Sequence, residues 1–172
     1  MSEETLPWSS RETILRTVVD AHENIVSISL VDTTGREKVK IFNPLLLEKE
    51  PGLLNFKSDE TFKLMLEKKQ NQIMSNLYFY ESKDPRLNLF HRLNERFSLL
   101  IVLSLKTLWA QLNEIHIGKT GYAFLVNQKG KIIAHPDKEK FWTEAATNLD
   151  IVNQAIKAVS EGSSEYPDEK GE

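Results

Sequence analysis

No cysteine occurs in these 172 residues, so disulfides, zinc–thiolate sites and cysteine nucleophiles are excluded together. Long apolar runs are missing as well. The longest, Phe97 to Leu105, is interrupted by Ser98 and Ser104, and a membrane-spanning helix needs about 20 apolar residues. The N-terminus, Met1 to Thr5, has neither the basic nor the apolar region of a signal peptide. A membrane anchor is therefore expected to lie outside this sequence. Charge of one sign is scarce: the formal net charge is -3, the pI is near 5.9, and basic residues are scattered. Nothing draws such a chain to nucleic acid or anionic lipid. Phosphate loops, dinucleotide fingerprints, HExxH and nucleophile elbows are absent.

What is present is a core-forming composition, 40% hydrophobic against 27% charged, which excludes disorder, and a length that suits one domain, or one domain plus a fragment of a second. Ser9 and Glu12 read as a capping box ahead of a helix carrying Ile14, Leu15, Val18 and Val19 on one face. From Asn24 the period changes. Ile25 to Val31, Asp32-Thr-Thr-Gly35 and Arg36 to Phe42 read as strand, turn, strand, with Gly35 supplying the positive φ. Pro44 to Phe56 reads as a loop, and Ser58-Asp59-Glu60 starts a short helix bearing Phe62, Met65 and Leu66. Gln72 to Tyr80 is expected to be one strand, Glu81 to Pro85 a turn, and Arg86 to Leu93 an alternating strand. Phe97 to Leu105 suits the sheet centre. Leu105, Leu108, Trp109 and Leu112 mark an amphipathic helix. Tyr122 to Val126, Asn127 to Gly130 and Lys131 to His135 repeat the first hairpin's turn, and Asn148 to Val159 reads as a final helix. Strands without helical crossovers make this an α+β chain.

Candidate chemistry is sparse. The histidines at 22, 91, 116 and 135 never stand at i, i+4 with another ligand. His135-Pro136-Asp137 puts an imidazole and a carboxylate at one strand end, but a metal needs further ligands. The simplest reading of His135 is a strand-end side chain hydrogen-bonded to its own loop, so neither metal nor cofactor is expected. Tyr78 and Tyr80 share one face of their strand and Phe79 takes the other. The two tyrosines could line a ligand pocket or be half-exposed strand residues. No nucleophile and base are paired, and no enzyme is expected.

The segment Gly118-Lys-Thr-Gly-Tyr122 leading through Ala-Phe-Leu-Val126 to His135-Pro-Asp137 resembles the signature of double Cache (PAS-like) extracytoplasmic sensor domains. Asn24-Ile25 to Asp32-Thr-Thr-Gly35-Arg36-Glu37 is similar to that family's opening hairpin, and Ser75 to Phe90 to its next strand pair. The Leu105 to Ile117 stretch, with Leu108-Trp109 before Ile117-Gly118, looks like a version found in sensor histidine kinases and some nucleotide cyclases. The resemblance implies a PAS-like antiparallel sheet of about five strands with flanking helices, preceded by an N-terminal helix. It implies a membrane-distal lobe over residues 10–140, and a linker helix with the start of a smaller proximal lobe over 141–172, inside which the chain stops. The function implied is the periplasmic sensor module of a bacterial inner-membrane receptor, signalling through its terminal helices to a cytoplasmic histidine kinase. The alternative is a ligand-free structural or protein-interaction lobe of a cyclase or chemoreceptor. The partners implied are a small molecule, a weakly paired second copy and no nucleic acid.

By position in that family, Tyr78 falls where amino-acid-binding relatives carry a ligand-contacting tyrosine. Their Arg-x-Trp-Tyr segment is missing near Ser58 to Leu64, where Phe62 stands as the aromatic. Val102 stands where they carry an aspartate. Both charges of a zwitterion would go unpaired, so the ligand implied is not a typical α-amino acid. A less charged ligand, or a carboxylate held by Arg86 or Arg92, is left, and the ligand-binding candidates are Tyr78, Tyr80, Arg86, Tyr122, His135 and Asp137.

Overall fold

The computed structural model describes residues 7–49, 51–81, 84–115, 117–118, 121–127, 130–137 and 150–157. The chain forms two compact units, Met1–Thr107 and Leu108–Glu172. In the first, the Phe97 to Leu105 strand that read as central takes the middle of the sheet. An antiparallel sheet runs in the order β2 (Glu37–Phe42), β1 (Ile25–Asp32), β6 (Phe97–Ser104), β5 (Asp84–Arg92), β3 (Gln72–Met74), with β4 (Tyr78–Tyr80) also paired to β5. β1 and β6 therefore have neighbours on both sides, and the seven residues of β1 before Asp32 are all buried.

Each face of the sheet carries its own core, set by strand alternation. The cross-strand pairs Ile28↔Ile101 and Leu30↔Leu99 point to the side covered by α1 (Trp8–Ala21) through Leu15 and Val19. On the other side Val31, Leu100 and Phe90 pack with Phe62 and Met65 of α2 (Glu60–Glu67). α2 begins where expected, because the Asp59 carboxylate accepts from the Phe62 amide at 2.8 Å and satisfies a first-turn donor.

Three local expectations need correction. α1 starts at Trp8, its N-cap Pro7 offers no side-chain cap, and Ser9 lies inside the helix, so no capping box forms. Tertiary packing extends the helix: the Trp8 ring meets Phe97 edge-on at 6.1 Å and lies under the Arg11 guanidinium at 4.7 Å. Gln72 to Tyr80 is two short strands. The Ser75 hydroxyl accepts the Asn88 amide at 2.9 Å and donates to the Asn76 carbonyl at 2.7 Å, which takes the ladder's place and breaks it. Asp84 and Pro85 belong to β5, Pro85 pairing with Phe79.

The first hairpin turn is closed by one carboxylate. Asp32 Oδ1 accepts from the Thr34 amide at 2.9 Å, the Thr34 hydroxyl at 2.7 Å and the Arg36 amide at 3.0 Å. Gly35 sits at φ 83°, and a Cβ there would collide with the Lys57 backbone. Burial, the largest single influence on the Asp32 carboxyl, pushes it up. The bonds from Thr34, the Arg36 amide and Lys38 together outweigh burial and hold it well below the usual value of 3.8. The folded state thus favours the carboxylate more than the unfolded chain does. Its stabilisation is complete above the unfolded value and fades as pH falls through that value towards the folded one. In urea titrations, the stability gap between wild type and Asp32→Asn is expected to be flat from about pH 5 to 7 and to narrow below about pH 4. A gap that widens on acidification would refute this.

In the second unit, α3 (Lys106–Glu114), which starts at the end of the first unit, is followed by a two-stranded hairpin, β7 (Leu125–Val126) and β8 (Ile132–Ala134). Its turn repeats the first: Asn127 Oδ1 accepts from Lys131 N at 3.0 Å, and Gly130 sits at φ 73°. Trp109 Nε1 donates to the Ile133 carbonyl at 2.9 Å, fixing α3 on β8. The strand is shorter than expected, because 122–124 lie outside it. α4 (Asp150–Lys157) buries Val152. The expected tail after Val159 lies outside the described residues.

Candidate functional site

The registers Tyr78↔Arg86, Tyr80↔Asp84 and Arg86↔Ser104 put these five side chains on one face of the sheet. This is the face of α2, but beyond its apolar patch. Arg86 was expected on the polar side of an alternating strand, yet it is only 5% exposed. A buried guanidinium needs a partner, and it has one. Nε and Nη2 both donate to Asp84 Oδ2 at 2.7 Å. The guanidinium carbon lies 3.9 Å from the Tyr80 ring centroid, a cation–π contact. The second oxygen, Asp84 Oδ1, accepts from the Ser104 hydroxyl at 2.7 Å. One carboxylate thus holds a cation on β5 and a hydroxyl on β6, and every bond is charge-assisted.

Tyr78 stands beside this group and donates to Asn88 Oδ1 at 2.9 Å. Burial pushes its phenol above the ordinary value of 10; nearby Arg86 opposes the rise and Asp84 adds to it. A cleft of about 410 Å³ opens here, with Leu46 to Lys49 of the loop after β2 on one side and Tyr80, Glu81, Asp84 and Arg86 on the other. Its volume is that of a small-ligand site. Glu81 has φ 49°, a conformation more natural to glycine.

The other three candidates form a separate group in the second unit. His135 is buried, and its Nδ1 accepts from the Asp137 amide at 2.8 Å. The same Nδ1 lies 3.0 Å from the Asp137 carbonyl oxygen, so the ring closes the turn at Pro136. The Tyr122 ring meets His135 edge-on at 4.9 Å, and Phe124 packs beside it at 5.8 Å. Tyr122 and Asp137 are exposed. Among the described residues no three acidic, histidine or cysteine side chains are placed to hold a metal ion.

Sequence reading passed over Asp84, Glu81 and the Leu46 to Lys49 segment, because they fell in stretches read as turn and loop. Asp84 and Arg86, two apart on one strand, were the available signal. In the apolar part of this face Val102 packs with Phe62, Phe90 and Leu100.

Residues 101–172 match the family described as the Cache 3/Cache 2 fusion domain. Over 87% of its length the chain superposes on the extracellular domain of a protein assigned as a histidine kinase, vpHK1S-Z8. The TM-score is 0.64, the identity 19%, and 63% of that domain is covered. This chain has the Cache sensor fold. Cache sensor domains are non-catalytic ligand-binding modules. A second structural neighbour is the ligand binding domain of the amino acid chemoreceptor PctB of Pseudomonas aeruginosa, in complex with L-Gln. The TM-score is 0.57 and the identity 20%, over 80% of this chain and 56% of that one. A stretch of 37 residues is 51% identical to the methyl-accepting chemotaxis protein McpG of Pseudomonas putida, covering 22% of this chain and 6% of that protein. The chain therefore spans less than two thirds of these solved domains and a small part of McpG. Among the described residues no helix is long and apolar enough to cross a membrane.

Proposed function

We propose that this Cache domain is the extracytoplasmic sensor module of a membrane receptor, and that it binds a small molecule in the cleft between the Leu46 to Lys49 segment and β4–β5. The observation that carries this reading is the Arg86–Asp84–Tyr80 group. It is a buried charged pair, cross-braced to β6 through Ser104 and opening onto a cleft of ligand size. Rigid polar groups at the wall of a concave site are what orient a ligand.

The ligand is not a typical α-amino acid. PctB was solved with L-Gln, but here the face around Val102 and Phe62 is filled by apolar packing and offers a zwitterion no partners there. In this proposal residues 10–140 are the ligand-holding lobe, and 141–172 are a linker helix and the start of a second lobe. Binding favours one of two arrangements of the lobe, and the terminal helices pass that preference on. The output is a cytoplasmic histidine kinase, and pairing with a second copy is weak. The segment shared with McpG favours a second reading of the output, as a chemoreceptor.

Thermal melts against a panel of organic acids, amines and sugars test the sensor reading. A ligand at 100 times its Kd adds about 2.7 kcal/mol and raises the midpoint by roughly 5–10 °C for a chain of this size. Tyr80→Ala, which removes a cleft wall, is expected to abolish the shift. A panel with no stabiliser at millimolar concentration, or a shift that Tyr80→Ala leaves intact, would count against binding in this cleft.

A further inference from the structure

The charges of the cleft do not act equally. Among the described residues it is lined by two cations, Lys49 and Arg86, and three carboxylates, Glu48, Glu81 and Asp84. Arg86 is the buried cation, and charge interactions at such a position are several times stronger than in water. Left free, it would make the cleft an anion site. It is not free. Its Nε and Nη2 both donate to the same Asp84 oxygen at 2.7 Å, and the other oxygen of that carboxylate is held by Ser104. With Arg86 and Asp84 cancelling, Lys49 remains against Glu48 and Glu81, a balance of one negative charge, with Leu46 and Leu47 as the apolar wall.

We propose that Asp84 is the specificity-determining residue of this cleft. By closing Arg86 into a neutral pair it makes the cleft refuse small organic anions. Glu48 and Glu81 are left to take the ammonium group of a small organic cation, whose apolar body lies against Leu46 and Leu47. The inference rests on the reading above only for where the ligand sits. It replaces the carboxylate that an unpaired Arg86 would have implied.

The test is calorimetric titration and thermal melting of the whole chain at constant ionic strength. The anion probes are sodium acetate and sodium succinate; the cation probes are methylammonium, putrescine and choline. Wild type is expected to take at least one amine and to ignore both anions to about 10 mM. Asp84→Asn leaves Arg86 buried without its counter-charge. It is expected to melt lower and to regain about 3 °C or more with acetate or succinate, by mass action. Asp20→Asn, which removes an exposed carboxylate of α1, sets the baseline for the change in net charge. The double variant Asp84→Asn, Arg86→Met should lose the anion response. Wild type binding succinate below about 1 mM, or Asp84→Asn responding to anions no more than Asp20→Asn, overturns the proposal. Should Asp84→Asn not fold, the wild-type titrations still decide: anion binding, or refusal of every amine, overturns it. A wild type that binds nothing while Asp84→Asn still responds to anions sinks both the sensor reading and the amine assignment, and leaves standing only the exclusion of anions by Asp84.

Discussion

Phe90→Ala is expected to lower the free energy of unfolding by about 3–5 kcal/mol, the range for emptying a buried phenylalanine site. Phe90 lies on β5 with no exposed surface, at the point where α2 meets the sheet. Its ring contacts Phe56 at 5.7 Å and Phe62 at 5.5 Å, so truncation removes two aromatic contacts as well as the transfer energy. Phe62 and Met65 cannot follow the cavity, because Asp59 caps their helix and fixes its first turn. Since whole domains are stable by about 5–15 kcal/mol, this one change takes a large share. Leu93→Ala, at a position 48% exposed, is expected to cost about 0.5 kcal/mol or less. Urea midpoints with unchanged slopes measure both. A Phe90→Ala loss below about 1 kcal/mol would mean that α2 does not clamp this face.

The second large effect concerns a buried ion pair. Lys40 Nζ lies 2.6 Å from Glu37 Oε2, with side-chain exposures of 7% and 0%. The same oxygen accepts from the Leu54 amide at 2.6 Å, and Lys40 also donates to the Gly52 carbonyl at 3.0 Å. The pair thus ties the strap at 52–54 to the edge strand β2, whose free ladder groups need cover. Removing one partner leaves a buried charge. Glu37→Ala is therefore expected to cost about 3–5 kcal/mol. Replacing both, as Glu37→Leu with Lys40→Met, is expected to recover most of that loss, since buried pairs contribute little beyond an apolar pair of like volume. Among the described residues Glu37 Oε1 has no hydrogen-bond partner, which lowers the net value of the pair further. A double variant as unstable as Glu37→Ala would show that the pair, and not apolar filling, holds the strap.

Legibility in the sequence followed the range of the interaction. Both hairpin turns were readable because Asp32 or Asn127 closes its own loop within four residues and Gly35 or Gly130 takes the left-handed position. The α2 cap is equally local. The central place of β6 was readable because Leu99 to Leu103 is a continuous apolar run. The start of α1 was not, because Phe97, far along the chain, holds Trp8 in the helix. The break at 75–77 was not, because the Ser75 hydroxyl acts on Asn88 across the ladder.

The candidate site divides the same way. The tyrosines and Arg86 could be named from strand alternation and from resemblance to the Cache family. The sequence by itself determined the turn chemistry, the strand periods and the absence of thiol chemistry. The tertiary structure decided that Arg86 is not a free cation. Asp84 had to enter β5 through pairing with Tyr80, and its second oxygen had to find Ser104 on β6. Whether a charge is free depends on its burial and its counter-charge, and both are set by strands brought together across the sheet.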